Sequence, residues 1–450
     1  MSTTNSFLGK QALVIGGSIA GLFAARILSD FFEEVLIIEK DQKCEKHLTR
    51  TGVPQGSHGH ALLKSGEEIL TELFPGIIDE LIADGSVKSD FTSELAWNHH
   101  GSWKVKFHAG ISIIQQSRPF LEWHIQRRLE MISNISFLYG AKVKRMLINS
   151  DSTSIIGVEI QKDGEAAIPL NADLVVDATG AGSNSTNWLR QLGFDGPQKT
   201  EVKVNLFYAS RIYSSLSTTQ NKDWGNLLVY PNPPRQNRGG SISPIENQRW
   251  MVTLLGYGVE SPPSTEEEFI NYAKSLEQPD VYEAIKNGTP ETDVSVYRFP
   301  ALRRFHYEKL QRFPNGLIVI GDAFCRIDPV FGQGMSIAAL EAIALKKELQ
   351  KALNKNKLSQ ISKNTHRSFS KIIDVPWLIA LTEDFRFTHT DGAKPFGLPL
   401  LKWYVKRVIL ACESNQKVYG KLINVLQLKA HPISLFSSST LKAVLFQVKR

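Results

Sequence analysis

Three cysteines in 450 residues (Cys44, Cys325 and Cys412) are too few for a disulfide framework and lack the paired spacing of a zinc site. That scarcity suits a reducing cytoplasm. No apolar run reaches the roughly 18 residues that a spanning helix requires. The opening stretch, MSTTNSFLGKQ, is polar and leads into a strand, so no secretory signal is expected. Internal repeats and low-complexity linkers are absent. Acidic residues are scarce in one place only. Over 396–450 the basic residues are Lys402, Lys406, Arg407, Lys417, Lys421, Lys429, Lys442, Lys449 and Arg450, against a single carboxylate, Glu413. This tail is therefore +8 in a chain of net charge +7, and the remainder is −1. It suits an anionic membrane surface, an acidic partner or a solvated helical face. No nucleic-acid-binding module accompanies the charge, so nucleic acid is not an expected partner.

What is present is ordinary for a globular chain: 42% hydrophobic and 22% charged residues, over a length that suits two packed domains. Two glycine-rich turns stand out. The first follows a buried strand at 11–15 and reads Gly16-Gly17-Ser18-Ile19-Ala20-Gly21, then a helix over 22–31 and a strand ending at Glu39. Strand, turn, helix, strand and terminal acid make a βαβ unit of dinucleotide-binding size. Against G-x-G-x-x-G the second glycine is Ser18, small enough to let a pyrophosphate near the backbone. Glu39 is placed to accept hydrogen bonds from ribose hydroxyls. The second turn, some 300 residues later, reads GLIVIGDAFCRIDPVFGQGMSIAALEA, with Gly321, Asp322, Pro329, Gly332 and Gly334 in an acid–proline–glycine order. A helix opening on glycines presents free N–H groups to an electron-rich ligand. Two such turns point to one large cofactor held at both ends.

Between them, 201–258 alternates as half-buried strands do, as an inserted sheet would. A capping-box signature at 264–267 opens a helix, and a strand over 295–299 returns toward the first domain. The last 75 or so residues read helical, with Trp377, Phe385, Phe387, Trp403 and Tyr404 buried or lid-forming. His58 and His60 lack a carboxylate partner and suggest loop structure or a site lining rather than a metal. His99 and His100 are expected to be partly exposed. Cys325 reads as a small packing residue.

Three segments together resemble the flavoprotein monooxygenases of the para-hydroxybenzoate hydroxylase fold: VIGGSIAGL with Glu39, a middle DATGAGS, and GDAFCRIDPVFGQG. The middle motif departs from that family's, with Thr179 at the aspartate position, Gly180 and Ser183 kept, and Thr186 at the arginine position. RTGVPQGSHGHALL, SRPFLEWHIQRRL, YRFPALRRFHYEKL and WLIALTEDFRF are similar to a bacterial branch that includes polyether-type polyene epoxidases. The resemblance implies an α/β fold, in which a Rossmann-like FAD-binding domain carries an inserted β-sheet substrate domain and a C-terminal helical region. The FAD-binding domain would comprise 1–92, 118–200 and 296–375, the substrate domain 93–117 and 201–295, and the basic helical region 376–450. Gly16, Gly17, Ser18 and Gly21 would underlie the pyrophosphate and Glu39 the ribose. Asp322 would take the ribityl chain, and Pro329, Gly332 and Gly334 would face the flavin. Arg118 would contact flavin or cap its helix, and Arg50 would reach phosphate or flavin.

The implied reaction uses FAD, O2 and NADH or NADPH to epoxidise or hydroxylate a lipophilic metabolite through a flavin C4a-hydroperoxide. No residue is identified as a general base, and no metal is expected. An FAD-dependent reductase of an isoprenoid-like substrate is the alternative within the fold. A catalytically silent flavoprotein or lipid-binding module is the alternative outside it. A halogenase is disfavoured because its paired-tryptophan motif is absent.

Overall fold

The computed structural model describes residues 7–44, 48–217, 223–258, 260–355, 358 and 360–445. Strands Gly9–Ile15, Phe32–Glu39, Ile135–Tyr139, Leu174–Asp177 and Leu317–Val319 form a parallel five-stranded sheet, with Gly9–Ile15 central between Leu174–Asp177 and Phe32–Glu39. Such strands are covered on both faces, and Leu13, Val14, Val175, Val176 and Ile318 are accordingly fully buried. This covering explains why they read as unbroken apolar runs rather than alternating ones. Helices Ile19–Leu28 and Gly334–Lys355 pack together on this sheet in one core with it.

The inserted sheet is antiparallel around the 17-residue strand Lys199–Ser215, which pairs with Arg249–Tyr257 on one side and Ser295–Phe305 on the other. Arg238–Ile245, Asn226–Val229 and Leu95–His99 extend it. The strand expected over 295–299 runs to Phe305 and belongs to this sheet. Past Phe299 the alternation breaks, with Ala301 and Leu302 both buried and Arg303 turned out to Glu201. Its far edge pairs with Cys325–Arg326, which joins the large sheet to the acid–proline–glycine segment. The capping box falls one residue later than its signature suggested, with Thr265 as cap and Glu268 as its partner.

The C-terminal helices Leu398–Ala411, Gln416–Leu426 and Ser438–Leu445 share a core with Leu95 and Trp97 of the large sheet. Trp377, Phe385, Phe387 and Tyr404 are buried, whereas Trp403 is exposed. Lys449 and Arg450 lie outside the described residues. One expectation is overturned: His99 and His100 are buried. Their rings stack at 4.2 Å, and both Nε2 atoms face the Glu383 carboxylate at 3.4 Å. His99 ends an inner strand of the large sheet, and Glu383, in the last turn of the helix Ile361–Asp384, reaches both rings.

Candidate cofactor and substrate site

The first turn needs its glycines for reasons that can be measured. Gly16 has φ +102°, and a Cβ there would lie 2.7 Å from the Ala178 carbonyl oxygen. A Cβ on Gly21 would lie 1.9 Å from the Gly16 oxygen. Close helix–strand packing therefore forbids any side chain at either position. Ser18 starts the helix, but its hydroxyl does not cap it. The hydroxyl donates to Glu122 Oε1 at 2.5 Å and accepts from Arg118 Nη2 at 2.8 Å. The first helical N–H groups are thus left without a cap, as an anion site requires.

Beneath this turn lies a closed charge network. Glu39 Oε2 accepts from the Gly17 N–H at 2.8 Å and from Arg50 Nη1 at 3.0 Å, while Oε1 accepts from the Asp41 N–H. Arg50 Nη2 bridges to Glu122 Oε2 at 2.9 Å, and Arg118 Nε holds Glu122 Oε1 at 2.9 Å. Burial alone would raise the Glu122 carboxyl, but Arg118, Arg50 and the Ser18 hydroxyl overcome it and hold it at about 2. Two carboxylates and two guanidinium groups cancel, and together they fix the glycine turn from below. Arg118 also reaches Gln55 Oε1 at 3.1 Å and His60 Nε2 at 3.3 Å. His60 is pushed down to about 3 by burial and then by Arg118, so it is neutral. Its Nδ1 donates to the His58 carbonyl.

In the middle segment the acid that organises the turn is Asp177, two residues before the position expected from the motif. It is fully buried and accepts from the Thr179, Ser183 and Ser185 hydroxyls, each at 2.5 Å. Thr179, at the position where the motif was expected to carry an aspartate, donates both its N–H and its hydroxyl to this carboxylate.

The second turn begins at Gly321 (φ +66°), whose N–H donates to the buried Glu341 carboxyl at 2.8 Å. Burial raises Glu341 to about 8, so it is protonated at neutral pH. Asp322 is likewise raised by burial, against the pull of Arg326, Arg118 and the Gln55 amide. Arg326 lies 4.4 Å over the Phe299 ring and donates to the Tyr297 hydroxyl. Pro329–Phe331 forms a 3-10 turn ended by Gly332 at φ +63°, and the long helix starts at Gly334. Gln333 is buried with both amide atoms unpartnered.

A cavity of about 450 Å³ joins these parts. Ser18, Arg118, Asp322, Pro329, Gly332 and Gly334 line it, while Gly16, Gly17, Gly21, Glu39 and Arg50 form its supporting floor. All eleven residues expected to hold the cofactor thus belong to one assembly. The donor set fits FAD. A helix N-terminus lies at each end, the Asp322 carboxyl lines the cavity, and Gln333, between the lining residues Gly332 and Gly334, keeps a buried amide without a partner. The opposite wall comes from the large sheet and the loop before it: His58, Tyr208, Tyr297 and Phe299.

Behind that wall is a buried acid pair that local sequence patterns did not reveal. Asp328 Oδ2 accepts from the Tyr257 hydroxyl at 2.8 Å and its Oδ1 from the Val330 N–H at 2.8 Å. Asp384 is fully buried and finds no N–H or O–H donor; its partner is the Asp328 carboxyl. Two buried carboxyls in contact cannot both ionise, so Asp384 keeps a proton and shares it with Asp328. The Tyr208 hydroxyl beside them is buried without a partner, and burial followed by the Asp328 charge raises it well above its ordinary value. An acid immediately before a proline turn was the only available signal. Asp384, 56 positions away, had none.

Over residues 10–372 the chain matches the family model described as FAD binding domain. It is 31% identical over 410 residues to Protein Rv3254 of Mycobacterium tuberculosis (strain ATCC 25618 / H37Rv), covering 88% of this chain and 83% of that one. Among solved structures it is similar to the flavin-dependent brominase Bmp2, with a TM-score of 0.67, 14% identity, and 93% of each chain covered. It is also similar to p-nitrophenol 4-monooxygenase PnpA from Pseudomonas putida DLL-E4, with a TM-score of 0.67, 15% identity, and 94% of this chain and 99% of that one covered. At such identities the two structures speak for the fold alone. From its glycine turns, its divided core and these matches, the chain belongs to the FAD binding domain family and has the fold of FAD-dependent oxidoreductases.

Proposed function

We propose that this protein is an FAD-dependent monooxygenase that uses NADH or NADPH and O2 to epoxidise or hydroxylate a lipophilic small molecule. The observation that carries the reading is the shared cavity, with cofactor loops on one wall and Tyr208, Tyr297 and Phe299 on the other. FAD, when bound, supplies the redox and oxygen chemistry. The chain's own residues bind, orient and exclude water. Asp322 would hold the ribityl chain, and the helix N-terminus at Gly334 would face the electron-rich flavin edge. Arg118 and Ser18 would position the pyrophosphate. Phe299 and the tyrosine rings form an apolar wall with few polar points, which favours an alkene or ring over a strongly charged substrate. Tyr208 is the hydroxyl on that wall with no partner of its own, so we assign it to the substrate. Asp384 retains a proton behind it, which a phenol-ionising base would not do.

The test is turnover of the flavin-loaded protein with NADH and NADPH under isotopically labelled dioxygen, against a panel of polyenes and aromatic metabolites. A product carrying one labelled oxygen atom supports the reading. A product that gains hydrogen without oxygen would establish the reductase alternative, and bromination in bromide buffer would move the chain toward the chemistry named for Bmp2. A protein that oxidises neither NADH nor NADPH with any candidate would favour a silent flavoprotein.

A further inference from the structure

The helix Leu398–Ala411 is apolar on two sides. Its inner side is buried, with Leu398 in the main core and Tyr404, Val408 and Ile409 in the C-terminal core. Its outer side carries Leu400 and Trp403, preceded by Phe396. Leu400, Trp403 and Arg407, at spacings of three and four residues, form one stripe, and Phe396 stands in the turn just before the helix. Phe396 is entirely in water, Leu400 is 69% exposed and Trp403 45%. Phe436, also exposed, stacks on Tyr404 of the same helix at 4.6 Å, and in its turn Pro432–Phe436 Ile433 is 71% exposed. A helix apolar all round is ordinarily buried. Here one side remains uncovered, and a contiguous exposed patch of this kind marks an interaction surface.

Charge decides what covers it. Lys402, Lys406 and Arg407 share this helix, Lys421 and Lys442 lie on the neighbouring helices Gln416–Leu426 and Ser438–Leu445, and among the described residues none of them pairs with a carboxylate. Lys429, which pairs with Glu68, is the exception in this tail. A second copy docking through the same face would set these five cations against five more, so self-association is disfavoured. Trp and Phe beside unpaired lysines suit the boundary between anionic headgroups and acyl chains, where aromatic rings insert and ammonium groups meet phosphate. No helix among the described residues is long and apolar enough to cross a membrane, so contact would be at the surface. We infer that this face docks the protein peripherally on an anionic lipid bilayer through Phe396, Leu400, Trp403, Ile433 and Phe436, with the lysines of these helices facing the headgroups. The helix is also tied to the acid pair behind the cavity wall. Arg386 Nη2 donates to the Lys402 carbonyl at 2.7 Å, Lys402 Nζ donates to the Phe385 carbonyl at 2.9 Å, and Phe387 stacks on Tyr257 at 4.0 Å. A docked helix therefore sits one short strap from the Asp328–Asp384 pair, next to the site proposed for a lipophilic substrate.

The experiment is sedimentation of the full-length, flavin-loaded protein with phosphatidylcholine vesicles and with vesicles of equal phosphatidylcholine and phosphatidylglycerol. The wild type is expected to pellet with the second and remain in solution with the first. The exposed triple variant Phe396→Ser, Leu400→Ser, Trp403→Ser should keep its flavin and circular dichroism yet bind at least tenfold more weakly. Lys406→Glu with Lys442→Glu should do the same and flatten the salt dependence. Three results would each overturn the proposal: wild-type protein that stays in solution with both vesicles, a serine variant that binds as the wild type does, or a wild-type dimer in light scattering that the serine variant abolishes. Should the serine variant not fold, Trp403→Phe decides instead. Loss of a vesicle-induced blue shift relative to wild type supports docking, and an unchanged shift refutes it.

Discussion

Glu122→Gln perturbs one atom pair and should separate the charge network from the fold around it. The Glu122 carboxyl sits at about 2 against an ordinary 4.5, so its anion is favoured by about 3 kcal/mol at 1.36 kcal/mol per pH unit. Removing one partner of a buried ion pair costs a similar amount, about 3–5 kcal/mol. Glutamine keeps the shape and an acceptor for the Ser18 hydroxyl, but leaves Arg50 and Arg118 with one carboxylate, Glu39, between them. The sign follows from the lowered pKa. The contribution is complete above 4.5 and is lost only as pH falls through about 2. Urea titration of flavin-free protein, followed by circular dichroism, should therefore show a deficit of about 3 kcal/mol that is the same at about pH 6 and about pH 8. FAD adds a second test. Its pyrophosphate is anionic and would replace the missing charge, so the deficit should shrink in flavin-loaded protein while flavin affinity holds or rises. A deficit under about 1 kcal/mol in the flavin-free protein, or one that grows when flavin binds, would refute the neutral-network account.

Asp322→Ala should weaken FAD binding by roughly ten- to a hundredfold, the loss of a charged hydrogen bond of about 1.5–3 kcal/mol; a variant that stays fully yellow through gel filtration would show that Asp322 does not hold the cofactor. Gly21→Ala places a methyl group 1.9 Å from the Gly16 oxygen and should abolish flavin binding or folding, whereas Gly334→Ala meets nothing within 4 Å and should leave thermal unfolding unchanged or raised. Equal behaviour of these two variants would argue against steric exclusion at Gly21. Glu341, held at about 8, stays protonated in the fold while the unfolded chain ionises above 4.5, so wild-type stability should fall across that interval. Glu341→Gln keeps an acceptor for the Gly321 N–H and should raise the urea midpoint at about pH 9 but not at about pH 5; equal gains at both would rule out the proton linkage.

The two glycine turns that meet at the cavity were legible because their signals are local. A strand, a glycine turn and a helix constrain one another within some 25 residues, so Gly16, Gly21 and Glu39 announce themselves in order. The same holds for Gly321, Pro329, Gly332 and Gly334. The middle segment was read less well. Thr179 looked like a lost acid, but Asp177 supplies the carboxylate from the strand end, and only the folded turn reveals three hydroxyls converging on it. His99 and His100 looked exposable because they lie between strand-like segments; they are buried against Glu383, 283 positions beyond His100.

The sequence alone determined that the chain builds a dinucleotide fold from separated pieces, that a β-rich sheet interrupts it, and that its positive charge is concentrated at one end. Those properties follow from period, spacing and composition, which act over a few turns of backbone. Tertiary structure alone decided that Ser18 answers to Glu122 and Arg118, that Asp328 shares a proton with Asp384, and that Phe396 and Trp403 remain uncovered while Tyr404 is enclosed. Those facts depend on groups 50 to 100 residues or more apart meeting in a medium without water. There each polar atom must find a partner and each charge a counter-charge, and no local rule in the chain names which one.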